Sequence, residues 1–352
     1  MAEPELMLSW LNISNVTAEP TAEPNQWQGV YDFLAQFTSF AFIFTGLLMF
    51  VGNMAIAYPI AYHNAFRTRK EYITIGGLAV ADALNGLAYI MAGLYRVPLA
   101  LMYGSSGNAL GLTTFGCALL PFNILWGLFY PTTGLMLCVT SIDRLLVTAF
   151  TMWYISKGPM LSYIMVGVVH LHGIIYEAAA VFTGYLLRVN GPVADMCWQG
   201  ISMAPSLYSY ELQVYARSHI ASILIFLMAV VAYFIHNKKV AHGGEIKAQA
   251  AKQQKDMTIK VAWSTLFTLL VVVIPTEVAE RYWKTYPFQV VAVLYIIPNF
   301  NPIINVYLFL IKHKLMRRAL MKALAGKKMP MNLKDWGGQT TAVTKTVDVK
   351  PG

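Results

Sequence analysis

Residues 36–61 read QFTSFAFIFTGLLMFVGNMAIAYPIA, a run without one charged side chain. About 20 apolar residues in an α-helix cross the roughly 30 Å of hydrocarbon in a bilayer, so this run is long enough to span a membrane. Six more such stretches follow, at 73–97, 113–142, 159–187, 212–235, 259–279 and 287–311. The fold expected is all-α: a seven-transmembrane-helix bundle. Composition agrees. Apolar and aromatic residues make up 57% of the 352 positions before the 25 glycines are added, and charged residues 12%; soluble domains carry about 45–50% apolar with glycine included and about 25% charged. A single water-soluble core of this length cannot bury that surplus, which argues against a soluble enzyme. Three cysteines are too few for a disulfide scaffold.

A net charge of +9 usually points to nucleic acid or an anionic surface. Here its placement points to topology, and no nucleic-acid partner is expected. Residues 1–66 contain no Lys or Arg. The segments between spans divide the 26 basic residues 21 to 5, the richer set holding Arg67, Arg69, Lys70, Arg144, Lys157, the six from Lys238 to Lys260 and the ten from Lys312 onward. The positive-inside tendency makes that set cytoplasmic. An odd number of spans then leaves the N-terminus extracellular and the C-terminus cytoplasmic, as in a multi-pass plasma-membrane protein. Asn12-Ile13-Ser14 and Asn15-Val16-Thr17 are glycosylation sequons on the outer end, which makes Asn12 and Asn15 the candidate acceptors. The first 27 residues lack a basic start and an apolar stretch, so the first span acts as its own insertion signal.

Four segments follow from this. Residues 1–32 form a flexible, glycosylated extracellular segment, and 33–312 the bundle. Residues 313–325 form a short amphipathic helix in the membrane interface, because Leu315, Met316, Ala319, Leu320, Ala323 and Leu324 share a stripe with Lys314, Arg317, Arg318 and Lys322 between them. Membrane lipid is therefore an expected partner. Residues 326–352 read as a disordered cytoplasmic tail. The basic loop 236–257 is expected to extend its flanking helices into the cytoplasm.

Local motifs narrow the class. Span one carries Gly52-Asn53 and span two Leu78-Ala79-Val80-Ala81-Asp82; Cys117 sits at the top of span three and Ser141-Ile142-Asp143-Arg144-Leu145 at its other end; span six has Pro275 and span seven Asn301-Pro302. In this order, on these spans, the set resembles the rhodopsin-like G-protein-coupled receptors and is most similar to the nematode serpentine chemoreceptors, over about residues 33–325. The resemblance implies an extracellular ligand, a heterotrimeric G-protein partner and no catalytic residues. It also implies a disulfide joining Cys117 to Cys197, and it makes Asp143, Arg144, Pro275, Asn301 and Pro302 the activation and coupling set, with Arg144 facing the G-protein. Asp256 is a candidate resting partner for Arg144.

A carboxylate within a span costs about 2.5–3.5 kcal/mol on insertion scales, so Asp82 needs partners or a task. Asn53, Thr133 and Asn301 fall at depths that let them converge on it. Either they hold a sodium ion as an allosteric cofactor, or they form a structural polar network. No metal-ligand cluster is legible, because His170 and His172 are spaced i, i+2 and diverge on a helix.

The chain departs from the family pattern at Leu145, where an aromatic is usual, at span five, which lacks a proline, and before Pro275, which lacks a tryptophan. Cys117 and Arg144 stand 27 apart, and Pro131 between them is read as the kink or bulge that absorbs the excess. Span three has no aspartate in its outer half, which disfavours amines, and Tyr295 replaces the lysine a retinal Schiff base would need. The ligand pocket expected is mostly apolar with a few polar groups: Asn123, Trp126, Glu177, Glu277 and Tyr295. The ligand is a small chemosensory molecule or, alternatively, a short basic peptide as in a neuropeptide receptor. A polytopic transporter is the reading from another class, with Asp82, Glu177 and the span-four histidines as a proton path.

Overall fold

Hydrocarbon offers no hydrogen-bond partner, so a chain that crosses it must satisfy its backbone within each segment, and helices do so. The computed structural model describes residues 27–104, 110–190, 193, 196–240, 267–282, 288–312 and 314–327. Asn12, Asn15, Asp256, most of loop 236–257 and the tail beyond 327 lie outside them.

Among the described residues, five helices are long and apolar enough to cross a membrane: α1 (Gln28–Tyr62), α2 (Lys70–Tyr103), α3 (Pro121–Ala149), α4 (Met160–Leu187) and α5 (Pro205–Val240). Two shorter apolar stretches, Leu269–Ala279 and Val291–Tyr307, stand where the sixth and seventh spans are expected. The described part of the sixth has a π-helical turn, Leu269–Val273, directly after the helical Phe267 and Thr268, and continues as α6 (Ile274–Tyr282). The Ile274 amide donates to the Leu269 carbonyl, five residues back. Pro275 has no N–H and crowds the preceding turn, so a widened turn beside it has a plain steric cause. The seventh is broken into Phe288–Leu294, a 3-10 turn at Ile297–Asn299 and α7 (Phe300–Lys312). Pro298 and Pro302, four residues apart, forbid a continuous ladder there.

Helix α8 (Lys314–Leu324) has the amphipathic pattern expected. Met316, Ala319 and Ala323 are buried against the α1 end of the bundle, while Met321 and Leu324 stay exposed. The His63 ring, itself buried, bonds the Ala319 carbonyl at 3.0 Å and ties α8 to the loop after α1. One expectation needs correcting. The long Cys117-to-Arg144 interval is absorbed by a separate short helix, Thr114–Ala118, and a break at Leu119–Leu120, after which Pro121 starts α3 at its first turn. Pro131 lies inside an unbroken α3.

The outward face of α1 shows why water is the wrong solvent: Phe33, Phe37, Phe40, Phe44, Leu47, Leu48 and Val51 are all exposed. The inward face is held by close backbone contact. A Cβ at Gly46 would lie 2.6 Å from the Gly86 carbonyl of α2, and one at Gly93 would lie 2.6 Å from the Ser39 carbonyl of α1. Where lipid tails are as apolar as side chains, such close packing of small residues drives helix association. We expect Gly46→Ala to destabilise the bundle by about 1–3 kcal/mol through overpacking, read as a lower Tm of detergent-solubilised protein. Gly167→Ala on α4, which meets nothing within 4 Å, is the control and should leave Tm unchanged or slightly raised.

Candidate ligand cavity and coupling face

Helical spacing places Phe122, Trp126 and Tyr130 one above another on the inner face of α3. With Phe42 of α1, Tyr89 of α2, Tyr208 of α5 and Tyr295 of span seven, Trp126 and Tyr130 wall a cavity of about 40 Å³. Leu212 of α5 and Trp198 and Gln199, which follow Cys197 in the loop before α5, complete it. A space this size holds a few waters at most, so an organic ligand must part the walls. The Tyr208 and Tyr295 hydroxyls bond each other at 2.8 Å, and Tyr130 stacks on Tyr215 at 4.1 Å. Trp126 Nε1 and the Tyr130 hydroxyl are buried without a hydrogen-bond partner.

The loop over this cavity is pinned at several points. A disulfide joins Cys117 to Cys197. Cys197 takes a positive φ of 44°, unlike every other described non-glycine residue, a conformation costing about 1–2 kcal/mol for an L-residue. Its carbonyl accepts from Arg96 Nη2 at 3.0 Å and from Asn123 Nδ2 at 3.2 Å. Arg96 Nε also donates to the Met196 carbonyl at 2.8 Å, and its guanidinium lies 3.9 Å from the centre of the Trp198 ring. Gln199 in turn donates to Glu211 at 2.8 Å, and the Tyr176 hydroxyl donates to the other Glu211 oxygen at 2.9 Å.

Of the five residues expected to form the pocket, Trp126 and Tyr295 stand in its wall. Asn123 braces the loop instead, bonding the Cys117 and Cys197 carbonyls. Glu177 is buried on α4 against Gly127, where any Cβ would collide with its carboxylate. Glu277 is exposed on α6. The two α4 histidines do not pair with Glu177: the His170 ring bonds the Val166 carbonyl and the His172 ring the Tyr210 hydroxyl.

At mid-depth, Asp82, Asn85, Thr133 and Asn299 are all buried. Thr133 reaches toward the Asp82 carboxyl in a geometry that leaves Thr133 Oγ1 and Asp82 Oδ1 both without a hydrogen-bond partner, as are Asn85 Oδ1 and Asn299 Nδ2. Buried polar atoms are normally satisfied by protein or by ordered solvent, so four such groups call for water or an ion. Asn53 and Asn301, expected beside Asp82, each make one bond of their own. Asn53 donates to the Met49 carbonyl of its own helix, and Asn301 accepts from Thr268 at 2.8 Å, a bond that links the sixth and seventh spans.

At the other end of α3, Asp143 is buried and lies 4.0 Å from Arg144 Nε, at the limit of an ion pair. It accepts from the hydroxyl of Tyr154, on the short helix Thr151–Ser156. Lys70, at the start of α2, donates to the Tyr154 carbonyl and sits 3.8 Å over its ring. Burial, and then the Asp143 carboxylate, push the Tyr154 phenol well above its usual pKa, so it remains a donor throughout the physiological range. Arg144 is thereby left partly exposed at the end of the bundle.

Sequence reasoning missed Arg96, Trp198, Tyr154 and Thr268. Arg96 carried a signal, being the one basic residue inside the apolar stretch 73–97; intramembrane charge is a functional hint by default. Trp198 follows a loop cysteine and could have been weighed on that ground. Tyr154 and Thr268 belong to contacts between distant segments and have no local signature.

No curated protein matches this chain at a significant level. A family model described as 7 transmembrane receptor (rhodopsin family) matches residues 52–317, from the Gly52-Asn53 of α1 to the second turn of α8. That match spans well over half of the sequence, from the last third of α1 through the seventh span, and the chain accordingly belongs to the rhodopsin family of seven-transmembrane receptors.

Proposed function

We propose that this receptor sits in the plasma membrane with its N-terminus outside, binds a small chemosensory molecule in the aromatic cavity, and activates a heterotrimeric G-protein through the cytoplasmic end around Arg144. The observation that carries this reading is the aromatic cavity beneath the disulfide-tethered loop, with Trp126 and Tyr295 in its wall. Its small size and the pinned residues Trp198 and Gln199 in its wall favour a small molecule over a peptide. The motifs quoted above support a likeness to the nematode serpentine chemoreceptors within the family. The charge division of 21 to 5 supports the orientation, because Arg67, Lys70, Arg144 and α8 all gather at one end of the bundle.

Signalling rests on a two-state bundle that ligand biases by binding one state better. In the state described here, Asp143 is held by Tyr154 and lies within 4.0 Å of Arg144, and Thr268 is bonded to Asn301. Outward movement of span six would break the Thr268–Asn301 bond and open the face on which Arg144 lies. With the full-length receptor and a G-protein co-expressed, a chemical panel should yield agonists that stimulate GTP exchange, and Arg144→Ala should abolish the response. Trp126→Ala and Tyr295→Ala together should weaken agonist potency at least tenfold. Substrate flux without nucleotide exchange would support the transporter reading instead.

Three unpartnered oxygens, Asp82 Oδ1, Thr133 Oγ1 and Asn85 Oδ1, are of the kind that would hold a sodium ion with bound water, which would supply positive charge to a carboxylate that no cation of the chain approaches among the described residues. Agonist affinity should then depend on sodium in the wild type and lose that dependence in Asp82→Ala. A dependence that persists in the variant would rule the ion out and leave a structural network.

A further inference from the structure

Rings that wall a cavity usually attract cations, since the π-face is negative, and by that rule seven aromatic walls should suit an ammonium ligand. Arg96 reverses the rule here. It is fully buried, with 0% exposure, and its guanidinium lies 3.9 Å from the Trp198 ring centre, 5.1 Å from Trp126 and 5.8 Å from Phe42. All three rings are cavity walls. The cation therefore sits immediately behind the aromatic lining and already occupies the attraction that the rings offer.

The guanidinium is also incomplete. Nε and Nη2 are spent on the Met196 and Cys197 carbonyls, and Nη1 is buried without a partner. Among the described residues the ion pairs are Arg69–Glu71 and Asp143–Arg144, so no carboxylate faces Arg96. Glu211, the buried acid on α5, has one oxygen on Tyr176 and the other on Gln199. A buried cation without a counter-charge is costly, and an orphaned N–H adds to the cost. Two further donors in the walls, Trp126 Nε1 and the Tyr130 hydroxyl, also lack an acceptor. Indole N–H can only donate. Among the described residues the site thus presents one positive charge without a counter-charge and a surplus of donors, set among flat rings.

We propose that the cavity is selective for flat, acidic ligands: an aromatic or conjugated body stacked between the rings, carrying a carboxylate that supplies a counter-charge to the Arg96 guanidinium behind them and an acceptor for the Trp126 and Tyr130 donors. This rests on the reading of the cavity as the ligand site, and it excludes ammonium ligands from a pocket whose aromatic lining would otherwise invite them.

Three probes with the same ring and chain length separate the charges: phenylacetate, phenylacetamide and phenethylamine, titrated against the purified full-length receptor in lipid nanodiscs by ligand-observed NMR. Phenylacetate should bind at least tenfold more tightly than phenethylamine, with the amide between them. Arg96→Gln keeps amide donors for the loop carbonyls and removes the charge, and it should bring the acid and the amine to within about twofold. Should that variant fail to fold, the wild-type ranking decides alone. An amine that binds as well as the acid would overturn the proposal. If that equal binding is lost in the Trp126→Ala/Tyr295→Ala double variant, the cavity reading stands and only the charge preference falls; binding that survives the double variant removes the cavity reading itself. Asp195 lies outside the described residues, one position before Met196, and provides the last control. An acid preference that appears only in Asp195→Asn would assign the counter-charge to the chain and overturn the proposal.

Discussion

A guanidinium can be buried only if its surroundings are arranged around it, and the end of this receptor that carries the disulfide is arranged around Arg96. Two backbone carbonyls of the outer loop turn inward to meet it, and Cys197 adopts a left-handed backbone to aim one of them. The rings of Trp198, Trp126, Phe122 and Phe42 surround the charge. Asn123 and the disulfide hold the same loop from the α3 side. Arg96 touches the loop, the cavity walls and both tryptophans, so these form one unit and not a set of separate contacts.

Helix α3 is the axis along which the three candidate sites are strung. Trp126 and Tyr130 serve the cavity, Thr133 the polar cluster, Ser141 bonds Ser222 of α5 at 2.7 Å, and Asp143 and Arg144 close the series. The intervals of three, four or multiples of them keep most of these residues near one face. From Trp126 to Arg144 the rise is about 27 Å at 1.5 Å per residue, close to the thickness of the hydrocarbon. The cavity and Arg144 therefore lie on one continuous helix that is bonded to α5 partway down.

The number and order of the spans were legible because the hydrocarbon imposes length and apolarity on each crossing, and a run such as 36–61 has no other reading. The amphipathic helix at 314–324 was legible for a similar reason, its stripe having a period. Side-chain destinations were less so. Glu177 and Asn123 stand at suitable depths for a pocket, but rotation about the helix axis turns Glu177 into a niche over Gly127 and Asn123 toward the loop, and depth alone does not encode rotation. The break at Leu119–Leu120 went unread because Pro131, the more conspicuous residue, sits inside a helix that tolerates it. Tyr154 and Lys70 find each other only through the folded chain.

The π turn at Leu269–Val273 has a geometric consequence. An α-helix advances about 100° per residue, and a π turn holds one residue more than an α turn. Rewinding that single turn to α geometry would rotate the two parts of span six against each other by about that angle, with a change in length near 1.5 Å. Thr268, which carries the bond to Asn301, stands on one side of this screw thread and Pro275 on the other. Such a rewinding would therefore turn Thr268 and Pro275 against each other about the axis of span six, and so bears directly on the bond to Asn301.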